Sequence, residues 1–174
     1  MIDRRGVLRG VTGATVALTA PHAWADENLL PRRWVKIVFV HTGERFNKPY
    51  YWDSHYIMTA VEDFSWTCRD FRAGKWKILN PWLLDLVFIL HWIYNKDEIK
   101  ILSGYRTAET NAQLEGAALQ SQHTLANALD IHIPDVDHDA LARDFKERIR
   151  GGVGMYPNRH FTHMDFGPLR SWVG

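Results

Sequence analysis

Two short segments carry ionisable residues at alternate positions: Asp130 and His132 within residues 126–133, and His163 and Asp165 within residues 161–166. A β-strand turns successive side chains to opposite faces, so each pair is expected on one face of a sheet. With these strands as neighbours, two imidazoles and two carboxylates gather on that face. Such a cluster is costly to bury unless its members pair with one another or bind a metal ion. The chain is therefore expected to build a sheet around this charged patch.

The remaining pattern fills in the architecture. Residues 34–41 are β-branched and aromatic, which predicts a strand. Residues 45–52 are a returning strand, and Pro49 makes it an edge or irregular one. Ile57, Ala60, Val61, Phe64 and Cys68 follow helical spacing within residues 53–72. Asn80 and Pro81 are the cap and first position of a strongly apolar helix over residues 82–92, too short to span a bilayer. A strand is expected over 98–102, and a helix capped by Thr107 over 107–114. Residues 115–124 are loop, 137–150 a helix, and 151–156 with 161–166 a hairpin pair. Strands and helices mix without a βαβ rhythm, so the class is α+β. The expected form is a single domain, with a small, mostly antiparallel sheet flanked by helices.

Charge and address narrow the function. The 174-residue chain has a formal charge of +1, with 46% hydrophobic and 24% charged residues, as in globular domains. Arg4, Arg5 and Arg9 against Asp3 make residues 1–25 net positive and leave the remainder at −1. A near-neutral body excludes a nucleic-acid grip driven by bulk charge. Residues 1–25 read as an export signal: a charged start, a mildly apolar stretch over 10–20, and Ala23-Trp24-Ala25 as a cleavage pattern. Arg4-Arg5-Gly6-Val7-Leu8-Arg9 resembles the twin-arginine signal, with Val7 at the usual Phe position. The mature domain, residues 26–174, is expected to be a periplasmic monomer without a membrane span. Cys68 is the single cysteine, read as a packed thiol.

Nine histidines are many for this length, and three positions stand out. His123 precedes Asp130 by seven residues, and His163 lies far downstream. Two nitrogens and one oxygen form a three-residue set suited to one Zn2+, leaving a coordination position open as catalytic zinc sites do. Zinc there acidifies water and polarises a scissile carbonyl. Ligating imidazoles need a partner on their other nitrogen, so Asp165 and His132 are candidates for that part.

Beyond spacing, the sequence carries a resemblance. Ser121-x-His123-x6-Asp130 with a later His163 resembles the zinc peptidases that include D-alanyl-D-alanine carboxypeptidases and the lysostaphin and hedgehog-type folds. His41-Thr42-Gly43-Glu44, Tyr51-Trp52, Ser103-Gly104-Tyr105-Arg106-Thr107, Gly151-Gly152-Val153-Gly154-x-Tyr156-Pro157 and Phe161-x-His163-x-Asp165-x-Gly167-Pro168 are most similar to the murein endopeptidase K family. The likeness spans roughly residues 34–172. It implies an exported zinc peptidase acting on peptidoglycan stem peptides, with cross-link cleavage favoured. The bond type, D,D or L,D, and endopeptidase versus carboxypeptidase action are left open by the residues. Arg106 matches the family arginine, placed to hold a substrate carboxylate or steady the carbonyl oxygen. Ser121 and Tyr105 are placed for the loop backbone or the substrate.

Two positions depart from the superfamily pattern. Ala126 stands where a glycine is usual, and alanine adopts left-handed angles at a cost. The general base is missing: His160 stands where one branch has Glu, and Phe161 where others have His. His160 and Asp165 are the candidate bases, with His132 behind them. The same residues admit a non-catalytic wall-binding domain that retains zinc, or a zinc hydrolase of another amide. His41, His55, His91 and His138 are read as structural, and Trp52, Tyr105, Tyr156 and Trp172 as core or groove-lining aromatics.

Overall fold

The structure, a computed structural model, describes residues 32–148 and 150–174. The export segment proposed at residues 1–25 lies outside them. The described chain runs β1 (Arg32–Phe39), β2 (Arg45–Trp52), β3 (His55–Tyr56), α1 (Met58–Thr67), α2 (Trp82–Tyr94), β4 (Ile99–Ser103), α3 (Ala108–Ala112), β5 (Ala128–His132), α4 (His138–Arg148), β6 (Gly152–Tyr156), β7 (Phe161–Asp165) and β8 (Arg170–Val173). All eight strands form one sheet in the order β3-β2-β1-β4-β5-β7-β6-β8. β1–β4 and β6–β8 are parallel pairs, and the other neighbours are antiparallel. The class is α+β as expected, with a larger and more mixed sheet.

Two differences have local causes. The expected helix over 53–72 is shorter at both ends. Asp53 and Ser54 both have positive φ, 47° and 62°, which makes the two-residue turn of a β2–β3 hairpin rather than a helix start. At the far end, Asp70 accepts the backbone N–H groups of Arg72 and Ala73 and diverts the chain into a turn. β8 was absent from the sequence reading, because its four residues are mostly exposed and show no apolar signature.

Alternation within the strands builds the core. Val35, Ile37 and Phe39 of β1, Ile99 and Ile101 of β4, Leu129 and Ile131 of β5, and Met164 of β7 are all buried in one cluster. Phe64 of α1, Leu83, Leu84 and Val87 of α2, and Leu141 and Phe145 of α4 pack into the same cluster. Each large apolar side chain sealed there contributes about 1.5–3 kcal/mol. α2 begins as its sequence predicts: Asn80 Oδ1 accepts the Trp82 N–H at 3.1 Å, and Pro81 has helical angles. Trp92 near its end is 77% exposed, so this apolar helix is buried along one face only. The alternate positions of β5 and β7 face away from the core and carry the charged residues.

Candidate metal centre

Register brings the distant residues together. Asp130 of β5 lies opposite His163 of β7, and His163 lies opposite Gly154 of β6. One step along, Asp165 lies opposite Ala128 and Gly152. His123 reaches the same place from the loop before β5. Its Nε2 is 3.1 Å from Asp130 Oδ1 and 3.1 Å from His163 Nδ1, and His163 Nδ1 is 2.9 Å from Asp130 Oδ1. All three residues are buried, and among the described residues they are the one such group within metal-binding reach.

The outer nitrogens decide which atoms face inward. His123 Nδ1 lies 2.7 Å from the Gly104 carbonyl oxygen, which can only accept, so the ring proton sits there and Nε2 presents a lone pair. His163 Nε2 lies 2.8 Å from Asp165 Oδ2, which likewise places the proton on Nε2 and a lone pair on Nδ1. With His163 neutral, two imidazole lone pairs and one carboxylate oxygen converge; a proton on His163 Nδ1, shared with Asp130, competes with a cation for that place. A cation fits that convergence, and the N2O donor set suits zinc.

The ionisation of the cluster follows its surroundings. Burial pushes His123 toward its neutral form, and the attraction of Asp130 does not overcome it. Burial acts on His163 in the same sense, yet its hydrogen bonds to Asp130 and Asp165 prevail and raise its pKa. Burial would raise Asp130, but the two histidines hold its carboxyl far below the usual carboxylate range.

Asp165 is saturated. Its Oδ1 accepts the N–H groups of Gly167 at 2.7 Å and Gly152 at 3.2 Å, and Arg170 approaches both oxygens, Nη1–Oδ1 at 3.1 Å and Nη2–Oδ2 at 2.7 Å. Gly152 makes this possible: a Cβ there would lie 2.3 Å from Arg170 Nη1 and 2.4 Å from Asp165 Oδ2. Gly154 plays the same part for Trp172, whose ring would meet a Cβ at 2.4 Å. Trp172 packs 5.2 Å from His163, ring centre to ring centre, and donates its Nε1–H to Tyr156 Oη at 2.8 Å. The sequence reading missed Arg170. The signal was its alternation with Trp172, which matches that of Asp165 with His163.

A cleft of about 800 Å³ opens over the cluster, and its lining includes Asp130, His163, Tyr105, Arg106, Ser121, Tyr156 and Trp172. Ser121 Oγ accepts the His123 N–H at 3.3 Å and lies 3.5 Å from Arg106 Nη2. Neither His160 nor Asp165 is among the lining residues. His160 is exposed, with φ 55°, after the short 3-10 turn Pro157–Arg159. His132 also departs from the expected arrangement. Its ring packs 5.4 Å from His138 of α4, which lies 6.3 Å from His160, and no hydrogen bond joins it to the cluster. His132 is the last residue of β5, two positions beyond Asp130, and there its ring meets α4 instead of the cluster. The Gly104 carbonyl takes the partner role expected of it.

Residues 28–172 match the family model described as peptidoglycan L,D-endopeptidase MepK. Peptidoglycan L,D-endopeptidase MepK of Escherichia coli strain K12 is 31% identical over 170 residues, covering 95% of this chain and 93% of that protein. The Haemophilus influenzae protein named probable peptidoglycan L,D-endopeptidase MepK is 29% identical over 141 residues, covering 78% of this chain and 76% of that protein. No solved structure matches the chain significantly. Among the described residues, no helix is long and apolar enough to cross a membrane. The chain belongs to the peptidoglycan L,D-endopeptidase MepK family.

Proposed function

We propose that this chain is a metal-dependent peptidase that hydrolyses L,D peptide cross-links in peptidoglycan. The observation that carries the reading is the convergence of His123 Nε2, Asp130 Oδ1 and His163 Nδ1, with the outer nitrogen of each imidazole held by an acceptor. These three would hold one zinc ion per chain. A divalent ion bound there supplies Lewis acidity to a peptide carbonyl and to water.

The protein's own groups do the rest. Asp165 orients His163 and keeps the proton on its Nε2, so it serves as a positioning residue rather than the base. Arg106, with Ser121 beside it, holds a substrate carboxylate or steadies the carbonyl oxygen. Tyr156 accepts from Trp172, which leaves its own hydroxyl hydrogen free to donate into the cleft. His160 and His132 have no catalytic part in this reading, because they stand together away from the cleft. Residues 1–25 would export the domain by the twin-arginine route to the periplasm, where this substrate lies, and it would act there as a monomer.

Purified sacculi test the proposal. The zinc-loaded domain should release L,D cross-linked muropeptides as separate stems, read by mass spectrometry. Chelation or His123→Ala should stop release. Undiminished release by His123→Ala would refute the metal-centred reading, and sacculus binding without any release would favour a wall-binding domain.

A further inference from the structure

The cleft gathers more positive than negative charge: its lining holds five arginines against the carboxylates of Asp70, Glu115 and Asp130. Two of the arginines have acidic partners: Arg69 lies 2.7 Å from Glu44, and Arg170 is held by Asp165. For Arg72, Arg106 and Arg159, no carboxylate among the described residues lies within ion-pair distance. Arg106 is the most enclosed. Its Nε is buried with no hydrogen-bond partner, and Nη2 reaches only the Ser121 hydroxyl.

Arg72 is exposed at the cleft edge, and its guanidinium rests on an aromatic ring. Its guanidinium lies 4.4 Å from the ring centre of Phe71, and Phe71 stacks on His41 at 4.6 Å. The loop beneath is tied down by Asp70. One carboxylate oxygen accepts the backbone N–H groups of Arg72 and Ala73, and the other accepts the N–H and hydroxyl of Thr107, each at 2.9 Å. Thr107 follows Arg106 directly, so a single buried carboxylate couples the backbones that carry the two arginines. Burial is the main force pulling the pKa of both Arg106 and His41 down; Asp130 opposes it at Arg106, and the charge of Arg72 adds to it in each. Like charges that share a partly enclosed cleft repel, and an incoming anion relieves the repulsion.

We propose that Arg72 acts with Arg106 as a paired carboxylate-binding subsite beside the metal centre, selecting stem peptides with free carboxylates over those carrying carboxamides. The proposal rests on the peptidase reading and extends it to substrate choice. Amidation preserves the shape of the group, removes its charge and replaces an acceptor oxygen with a donor. The paired guanidiniums then face N–H groups that they cannot bond.

The test uses two cross-linked muropeptides that differ only in whether the stem carboxylates are free or amidated. The zinc-loaded wild-type chain should prefer the free acid by about 10- to 100-fold in kcat/KM, mostly through KM. Arg72→Gln should bring that ratio to within about threefold of one, and Arg72→Lys should restore part of it. Equal cleavage of both forms by the wild type, or an unchanged preference in Arg72→Gln, overturns the subsite and leaves the peptidase reading intact. Failure of the wild type to cleave either form counts against the peptidase reading instead. Calorimetric binding of the free-acid muropeptide to the wild type and Arg72→Gln then decides the subsite by itself: weaker binding by the variant supports it, and equal binding ends it.

Discussion

Arg170 grips Asp165 with both guanidinium nitrogens, at 3.1 and 2.7 Å, across a strand whose glycine leaves the space between them open. The grip runs from β8 across β6 to β7 and ends on His163. An arginine on the last strand thereby sets the direction of an imidazole lone pair in the metal centre. Arg170→Leu should therefore lower zinc affinity by about 10- to 100-fold, as loss of such outer partners does in metal sites. Competition against a chromophoric chelator measures this without reference to activity. Arg170→Lys should recover only part, since one ammonium cannot span both carboxylate oxygens. Equal zinc affinity in wild type and Arg170→Leu would show that His163 needs no such support.

Ala126 has φ 59°, a left-handed angle that disfavours a side chain with a Cβ. The backbone is committed there, because its carbonyl accepts the Asn80 N–H at 2.9 Å and its own N–H bonds to the His123 carbonyl at 3.1 Å. Ala126→Gly should raise unfolding stability by about 0.5–1 kcal/mol, read from urea denaturation. A fall in stability would mean that packing of the buried methyl outweighs the backbone strain.

Far from the centre, Asp85 of α2 anchors the first strands. It lies 2.8 Å from Arg33 Nη1 and 2.8 Å from Tyr50 Oη, with Tyr56 Oη on its other oxygen. Arg33 and Asp85 are both buried, and Arg33 lies 4.3 Å from the ring centre of Tyr51. Asp85→Ala leaves that cation buried without its partner and should cost about 3–5 kcal/mol. A drop under about 1 kcal/mol in equilibrium unfolding would show that water or a neighbouring group takes over.

Asp70 contributes to the pH dependence, alongside Asp130 and Asp165. Burial raises its pKa, but hydrogen bonds from Thr110, Thr107 and Ala73 outweigh this and hold it below the ordinary 3.8. A carboxyl whose folded pKa is depressed binds protons more readily in the unfolded chain. Its contribution is therefore complete above the unfolded value and is lost as pH falls through the folded one. The thermal midpoint of the metal-free domain should drop as pH is lowered from about 5 to below 4. Asp70→Asn should flatten part of that slope while lowering the midpoint at neutral pH. A slope identical to that of the wild type would remove Asp70 from the account.

Much of the centre was legible before any coordinates. Alternation in β5 and β7 put Asp130, His163 and Asp165 on one face. The Thr107 cap was also readable, and its hydroxyl accepts the Thr110 N–H at 3.1 Å. These are local properties: spacing within a strand or a helix turn dictates which way a side chain points, whatever lies beside it. At Ala126 the sequence flagged only the cost of a left-handed angle, and the structure shows the backbone adopting it, φ 59°.

What the chain decided only on folding concerns neighbours. No local pattern says that β4 inserts between β1 and β5, or that β8 lies parallel to β6 so that Arg170 and Trp172 reach over two glycines. Nor does it say that His132, at the end of β5, meets His138 of α4 instead of His163. Strand adjacency and register come from packing between segments far apart in sequence, and a side chain at a strand's last position is no longer bound by the pleat. For that reason spacing and family resemblance could nominate His123, Asp130 and His163 with Asp165 behind them, while Arg170 and the Gly104 carbonyl emerged only from the assembled sheet.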